Sequence, residues 1–443
     1  MRHPPPNTLA LLAAALLAGA LSGPVAAAGV PGGGSPSSGS GASEMPGEVL
    51  VKLRSGDALP ALLSKYSLTL VSRFGARPIY RLKIVGTARL GDVLAQLTLD
   101  PAVLIAETNL IQQSPEARRN MPWAIGDPQA VAAQWAPQAL NLAQAQTMSV
   151  GAGVRVAVLD TGVDGTHPLL AGRMLPGFDF VDYDSDPSEP TIATGSGWGH
   201  GTHVAGLVAM VAPGAQIMPL RVLDGNGVGN AWVLAEAMLY AIDPDGDPNT
   251  DDGAQIINLS LGSLARTRIV DAVARLAACA PAVADDPVND RSDPGYSADA
   301  LRCERHGGTL VVAAAGNDGS ASAKQYPAAE GVDSLVSIAA SNASKHLAGF
   351  SNFGSWIGLA APGDAITSSL PGGRWGTWGG TSMSAPIVAG SAALLLAREP
   401  ALTPKDLIDR LRRTASVLCA TNLRQVDPLA ALTNIVPASS SCR

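Results

Sequence analysis

Three segments of the chain carry the residue types that hydrolysis through a hydroxyl nucleophile needs. Asp160 closes a short apolar run in VAVLDTGVDGTHP, and His200 and His203 open an apolar helical pattern in GHGTHVAGLVAMVA. Ser382 follows Gly379, Gly380 and Thr381 in GGTSMSAPIVAGSAALLLA, just before a long apolar helix with Pro386 suited to its first turn. A hydroxyl attacks only when an imidazole removes its proton and a carboxylate fixes the imidazole tautomer and stabilises the imidazolium. A helix N-terminus beside the serine lowers the cost of negative charge developing there. Each segment also has a plainer reading. An Asp after a strand caps or turns, and a Ser before a helix caps it. A metal reading of H-x-x-H needs a third ligand and a nearby Glu, yet the following segment is apolar.

These side chains need elements to hold them. From Val154, the apolar runs VRVAVLD, AQIMPLRVL, AQIINLSLG, TLVVAAAGN and SLVSIAA alternate with the helical stretches VLAEAMLYAI and RIVDAVARLAA, a pattern of buried parallel strands. Open α/β sheets place ligands at the carboxyl ends of their strands, where Asp160 stands. Asn317 ends another such run, and in isolation it reads as a turn former. Earlier, EVLVKL, DALPALLSKY, LTLVSRF, IYRLKIV, LGDVLAQLTL and VLIAETNL give the β-α-β-β-α-β order of a ferredoxin-like unit.

Composition bounds the rest. The 443 residues are 47% hydrophobic and 15% charged, which fits a globular protein. Thirty basic against 37 acidic residues leave a net charge of −7, so no broad cationic field exists to hold nucleic acid. Arg2 and His3, the apolar stretch Leu9 to Leu21 and the small residues ending at Ala28 match a secretory signal cleaved after Ala28. The apolar run is shorter than the roughly 20 residues a bilayer core needs. The expected mature protein is exported, periplasmic or extracellular, without a membrane span. The four cysteines imply two disulfides with three connectivities open. Neighbour pairing, Cys279–Cys303 and Cys419–Cys442, is the simplest. The expected organisation is a signal at 1–28, a Gly/Ser/Pro-rich linker at 29–47, the ferredoxin-like unit at 48–113, a connecting and processing segment at 114–135, and a large domain at 136–443.

Taken together and in this order, DTGVDGTHP, HGTHVAG and GTSMSAP resemble the subtilisin-like serine protease family, whose triad runs Asp, His, Ser along the chain. The resemblance implies a three-layer α/β domain with a mainly parallel central sheet, preceded by a small α+β propeptide. It places the triad on Asp160, His200 and Ser382, and leaves His203 as a structural neighbour. VVAAAGND resembles the family strand whose Asn donates to the oxyanion, which puts that role on Asn317. Ser260-Leu261-Gly262 and Ala314-Ala315-Gly316 resemble the walls of the primary specificity pocket. Small walls imply an open pocket for a large apolar residue before the scissile bond. Gln325 falls near the pocket floor, where a polar group would alter preference.

The family's calcium ligands have no counterpart where Leu169-Leu170 and MVAPGA stand, so no metal is expected at the site and no cofactor is required. The acidic loop DPDGDPNTDD at 243–252 offers the oxygen ligands a structural calcium prefers but lacks the bidentate Glu of an EF-hand loop, and its plainer reading is a solvated acidic turn. Asp182, Asp184 and Asp186 form a second acidic cluster of the same kind. The expected partners are protein and peptide substrates and the chain's own 48–113 unit, an intramolecular inhibitor of a monomeric zymogen. The alternative is a catalytically inactive subtilisin-like binding protein, whose signature would be the loss of a triad member.

Overall fold

The two-residue period of a strand sets the first sheet. In β1 (Glu44–Leu53), Val49, Val51 and Leu53 face a small local core, whereas Leu50 faces the core of the domain that follows. The small core is closed by α1 (Leu59–Lys65), β2 (Leu68–Arg73), β3 (Ile79–Ile84), α2 (Leu90–Leu99) and β4 (Val103–Gln113). The strands run β2-β3-β1-β4, all antiparallel, in the β-α-β-β-α-β order read from the sequence. The computed structural model describes residues 43–437 except 122, 191, 194, 282–285, 289–290 and 292. The expected signal and most of the expected linker lie outside them. β1 starts inside that linker, because Gly47 at φ +68° and a register shift between Glu44 and Val49 let extra residues join the ladder.

Next come α3 (Pro115–Arg119), β5 (Ala124–Gly126), and the short helices α4 (Pro128–Ala133), α5 (Trp135–Ala139) and α6 (Leu142–Met148). The large domain continues through β6 (Arg155–Asp160), β7 (Phe178–Asp179), α7 (His200–Val211), β8 (Gln216–Arg221), β9 (Val228–Asn230), α8 (Ala231–Ile242), β10 (Ile256–Leu259), α9 (Arg268–Ala277) and α10 (Tyr296–His306). It ends with β11 (Leu310–Ala314), β12 (Leu335–Ser341), β13 (Leu359–Pro362), β14 (Ile366–Leu370), β15 (Arg374–Trp378), α11 (Thr381–Arg398), α12 (Pro404–Arg413), β16 (Ser416–Val417), β17 (Arg424–Gln425) and α13 (Pro428–Thr433).

Nine strands form its sheet in the order β16-β17-β13-β12-β11-β10-β6-β8-β7, parallel throughout except for the β16–β17 pair. Apolar side chains on both faces of its strands produce three layers. Val156, Val158, Val312 and Ile338 pack with α7 and α11, while Ala157, Leu159, Val311 and Ala313 pack with α8 and α9. Cys279 and Cys303 are disulfide-bonded, as expected. Cys419 is also in a disulfide, and Cys442, its expected partner, lies outside the described residues. No helix among the described residues is long and apolar enough to cross a membrane.

Candidate active site

The sheet brings the three sequence segments to one place. Asp160 is the last residue of β6, His200 the first of α7, and Ser382 stands in the first turn of α11. Asn317 follows β11 through Ala315 and Gly316, the latter at φ +101°. His200 Nδ1 donates to Asp160 Oδ1 at 2.7 Å. All four side chains are buried, Asn317 at 4% exposure and the other three at 0%. Close approach explains the glycine after His200: a Cβ on Gly201 would lie 3.1 Å from that of Asp160 and collide with the Gly162 carbonyl. Ser260 Oγ donates to the Ser382 carbonyl at 2.9 Å, fixing the start of α11.

A carboxylate the sequence reading did not single out sits among these groups. Glu116 Oε2 accepts from Ser382 Oγ at 2.6 Å and from His200 Nε2 at 3.1 Å, and its Oε1 accepts from Asn317 Nδ2 at 2.7 Å. Burial works against a charged imidazole, but Asp160 and Glu116 on its two sides push His200 up to about 10. Burial likewise opposes the Glu116 carboxylate, yet its bonds to His200, Ser382 and Asn317 hold it below the ordinary carboxyl range.

An extended strand followed by a capped turn delivers Glu116. β4 pairs antiparallel with β9 at Ile111↔Asn230, Gln112↔Gly229 and Gln113↔Val228. Gln113 also exchanges both backbone bonds with Gly262, at 2.9 and 3.0 Å, and Ser114 N donates to the Gly227 carbonyl. Ser114 then caps α3, accepting from Ala117 N, with Pro115 in the first turn. Beyond α3, Trp123 packs against Trp198 and Trp378, and β5 joins β15.

A second buried acid ties the Asp and His segments together. Glu189 Oε1 accepts from Thr161 Oγ1 and Gly199 N, and its Oε2 accepts from Thr202 N and Thr202 Oγ1. Burial, only partly offset by these donors, raises its carboxyl to about 7. His203 is bonded away from the triad. Its Nε2 lies 3.2 and 3.1 Å from the carbonyls of Ile366 and Gly376, and burial beside His200 lowers it to about 3. That neutral, carbonyl-bound ring is a structural neighbour, and no carboxylate or third ligand joins it in a metal set among the described residues.

The expected pocket walls face each other, but the space between them is not the open apolar slot expected. Gln325 is fully buried there: Cβ atoms added to Gly262 and Gly316 would lie 2.6 Å from its Cγ and 2.7 Å from its Oε1, respectively. Leu261 and Ala314 are fully buried. Arg118 of α3 donates to Gln325 Oε1 at 3.3 Å and to Asp318 Oδ2 at 2.7 Å. Sequence reading placed Gln325 near this floor, but the small walls read as empty space because the filling side chain comes from elsewhere in the chain.

Of the two acidic loops, Asp182 pairs with Arg221, while Asp184 and Asp186 accept local backbone bonds. Asp243, Asp245 and Asp252 each place a carboxylate oxygen within 4.8 Å of the others. Burial and the neighbouring acids raise Asp243 to about 6. These oxygens have the chemistry a calcium ion prefers.

Comparison with known proteins follows the same lines. The model of the Subtilase family matches residues 151–433. The chain is 34% identical over 314 residues to the thermophilic serine proteinase of Bacillus sp. (strain AK1), covering 68% of this chain and 65% of that protein. It is 34% identical over 279 residues to thermitase of Thermoactinomyces vulgaris, covering 61% and 84%. Fervidolysin from Fervidobacterium pennivorans, a keratinolytic enzyme related to subtilisin, shares the fold at TM-score 0.68 and 22% identity, over 89% of this chain and 62% of its own. A protease from Pseudoalteromonas arctica superposes at TM-score 0.56 with 30% identity, over 70% of this chain and 99% of its own. The chain therefore spans just under two thirds of the thermophilic proteinase and of fervidolysin. With the family model covering more than half of its residues, the chain belongs to the subtilase family.

Proposed function

We propose that this chain is a serine endopeptidase made as a self-inhibited zymogen. One observation carries the reading: Ser382 Oγ, His200 Nε2 and Asn317 Nδ2 all point at a single carboxylate. A nucleophile, a base and an oxyanion donor must converge on one carbonyl in the same way. Once Glu116 withdraws, Ser382 Oγ attacks the peptide carbonyl as its proton passes to His200 Nε2. Asp160, bonded at Nδ1, holds the ring in the required tautomer and stabilises the imidazolium. The oxyanion receives Asn317 Nδ2 and the backbone N–H of Ser382. His200 then returns the proton to the leaving amine, and water hydrolyses the acyl-enzyme by the reverse sequence.

An extended peptide replacing residues 111–114 would pair with β9 on one side and Gly262 on the other, which is recognition by strand addition. The 48–113 unit acts as inhibitor, and the following segment occupies the cleft with a helical turn in place of an extended scissile bond. Residues 1–28 direct export. The cycle uses no cofactor, and a structural calcium would find its oxygen donors at Asp243, Asp245 and Asp252.

The test uses two chains. Wild type is expected to shorten with time and to take a fluorophosphonate label on Ser382. The Ser382→Ala chain is expected to stay full length and unlabelled. Trimming of Ser382→Ala to the size of the active form would reject self-processing, and absence of label from processed wild type would reject the serine mechanism.

A further inference from the structure

Beside Ser382, two acceptors, Asp318 and Gln325, both bond the guanidinium of Arg118. Asp318 directly follows Asn317, and its side chain is only 14% exposed. Gln325, fully buried, turns Oε1 to the same space, and its Nε2 has no hydrogen-bond partner among the described residues. Arg118 bridges these two acceptors, while Arg119 Nε reaches the other oxygen of Asp318 at 3.1 Å.

An apolar side chain entering this space would strip water from a carboxylate and an amide and return no hydrogen bond, which is the costly arrangement. A guanidinium offers several donors in a fixed plane and can reach both acceptors at once, whereas an ammonium is a point charge. The strand register fixes which substrate residue uses the pocket. With Gln113 on Gly262 and Ser114 on Gly227, the position occupied by Pro115 is the one whose carbonyl would face Ser382. In α3, Arg118 lies one turn beyond Pro115 and so shares its face.

Resting on the serine peptidase reading, we propose that Asp318 and Gln325 select arginine at the residue preceding the scissile bond, and that Arg118 holds this place in the uncleaved chain. The enzyme then acts on exposed basic segments of proteins, with arginine favoured over lysine and both over leucine and phenylalanine.

The experiment uses enzyme matured from the full chain, with active sites counted by fluorophosphonate. Four peptides differ only in that residue: Arg, Lys, Leu or Phe. We expect kcat/KM for Arg to exceed Leu and Phe by at least about tenfold, from charged hydrogen bonds that the apolar residues cannot make, and the margin to narrow with added salt. Asp318→Asn should lower the Arg-to-Leu ratio by about tenfold or more. Gln325→Gly, by opening the space, should raise the Phe rate. A labelled wild-type enzyme that cleaves Leu or Phe as well as Arg overturns the proposal alone. So does a folded Asp318→Asn enzyme with an unchanged ratio. Hydrolysis of none of the four overturns the peptidase reading as well.

Discussion

In the proposed zymogen, latency turns on Glu116, a single residue bonded to both Ser382 and His200. The charge on His200 contributes to the closed arrangement with a definite sign. A raised imidazole stabilises fully below its ordinary value of 6.5, and that share is lost as pH climbs toward about 10. Glu116 acts in the opposite sense: its lowered carboxyl contributes above 4.5, and that share is lost as pH falls through the lowered value. Glu116→Gln keeps the shape and removes one of the two carboxylates beside the ring. The acidic limb of fluorophosphonate labelling, followed on unprocessed chains, should therefore move down from about 10 toward the ordinary imidazole range, with faster labelling at pH 7. Superimposable profiles for the two chains would contradict the influence of Glu116 on His200. Asp160, His200, Ser382 and Asn317 are legible in the sequence because each sits in a short contiguous motif at the end of an element. Glu116 and Glu189 have no such motif, since their partners are assembled only when distant segments meet. For Glu116 one signal is present, the Ser-Pro-Glu run at 114–116, which starts a helix and so stops an extended strand.

At the scale of elements, the proposed inhibition rests on the junction of β4 and α3. β4 runs in register with β9 up to Gln113, and in the proposed zymogen the helical turn begun at Ser114 keeps a peptide bond away from Ser382. Ser114→Ala removes the cap, worth about 1 kcal/mol, and so makes the extended path more accessible by roughly fivefold. Self-shortening followed on a gel should accelerate by about that factor, and an unchanged or slower half-time would count against the turn as the obstacle. The main strands are legible because continuous apolar runs mark burial on both faces. The two-residue strands β7, β16 and β17 have no pattern of their own, being extended only where a neighbour offers backbone groups. The β4–β9 pairing is hidden for a related reason: it joins residues 111–113 to 228–230, and no periodicity reports a partner so far along the chain.

Across the whole molecule, the N-terminal unit and the large domain share a core and a sheet. Leu50, Phe74 and Ile79 pack in the same cluster as Trp232, with the Phe74 ring 5.4 Å from the indole. Glu107 accepts the first backbone N–H groups of α9 at 2.8 and 3.1 Å, a favourable place for a carboxylate. Lys52 pairs with Asp293 at 2.9 Å, both side chains 3% exposed, and Arg77 pairs with Asp299. Cutting the connecting segment leaves all of these contacts intact, so the severed unit should stay bound and activity should appear only after a lag set by its departure. Lys52→Ala takes the cation from beside a buried Asp293. Breaking such a pair typically costs about 3–5 kcal/mol, which makes departure at least about 10²-fold faster if the loss falls on the bound state. The lag between chain cleavage and peptide hydrolysis measures that rate directly. It should collapse in Lys52→Ala while the rate per labelled active site stays that of wild type, because Lys52 leaves with the unit and the cleft is untouched. An unaltered lag would mean that the strand pairing to β9 and the contacts around Glu116, rather than the buried ion pair, govern release.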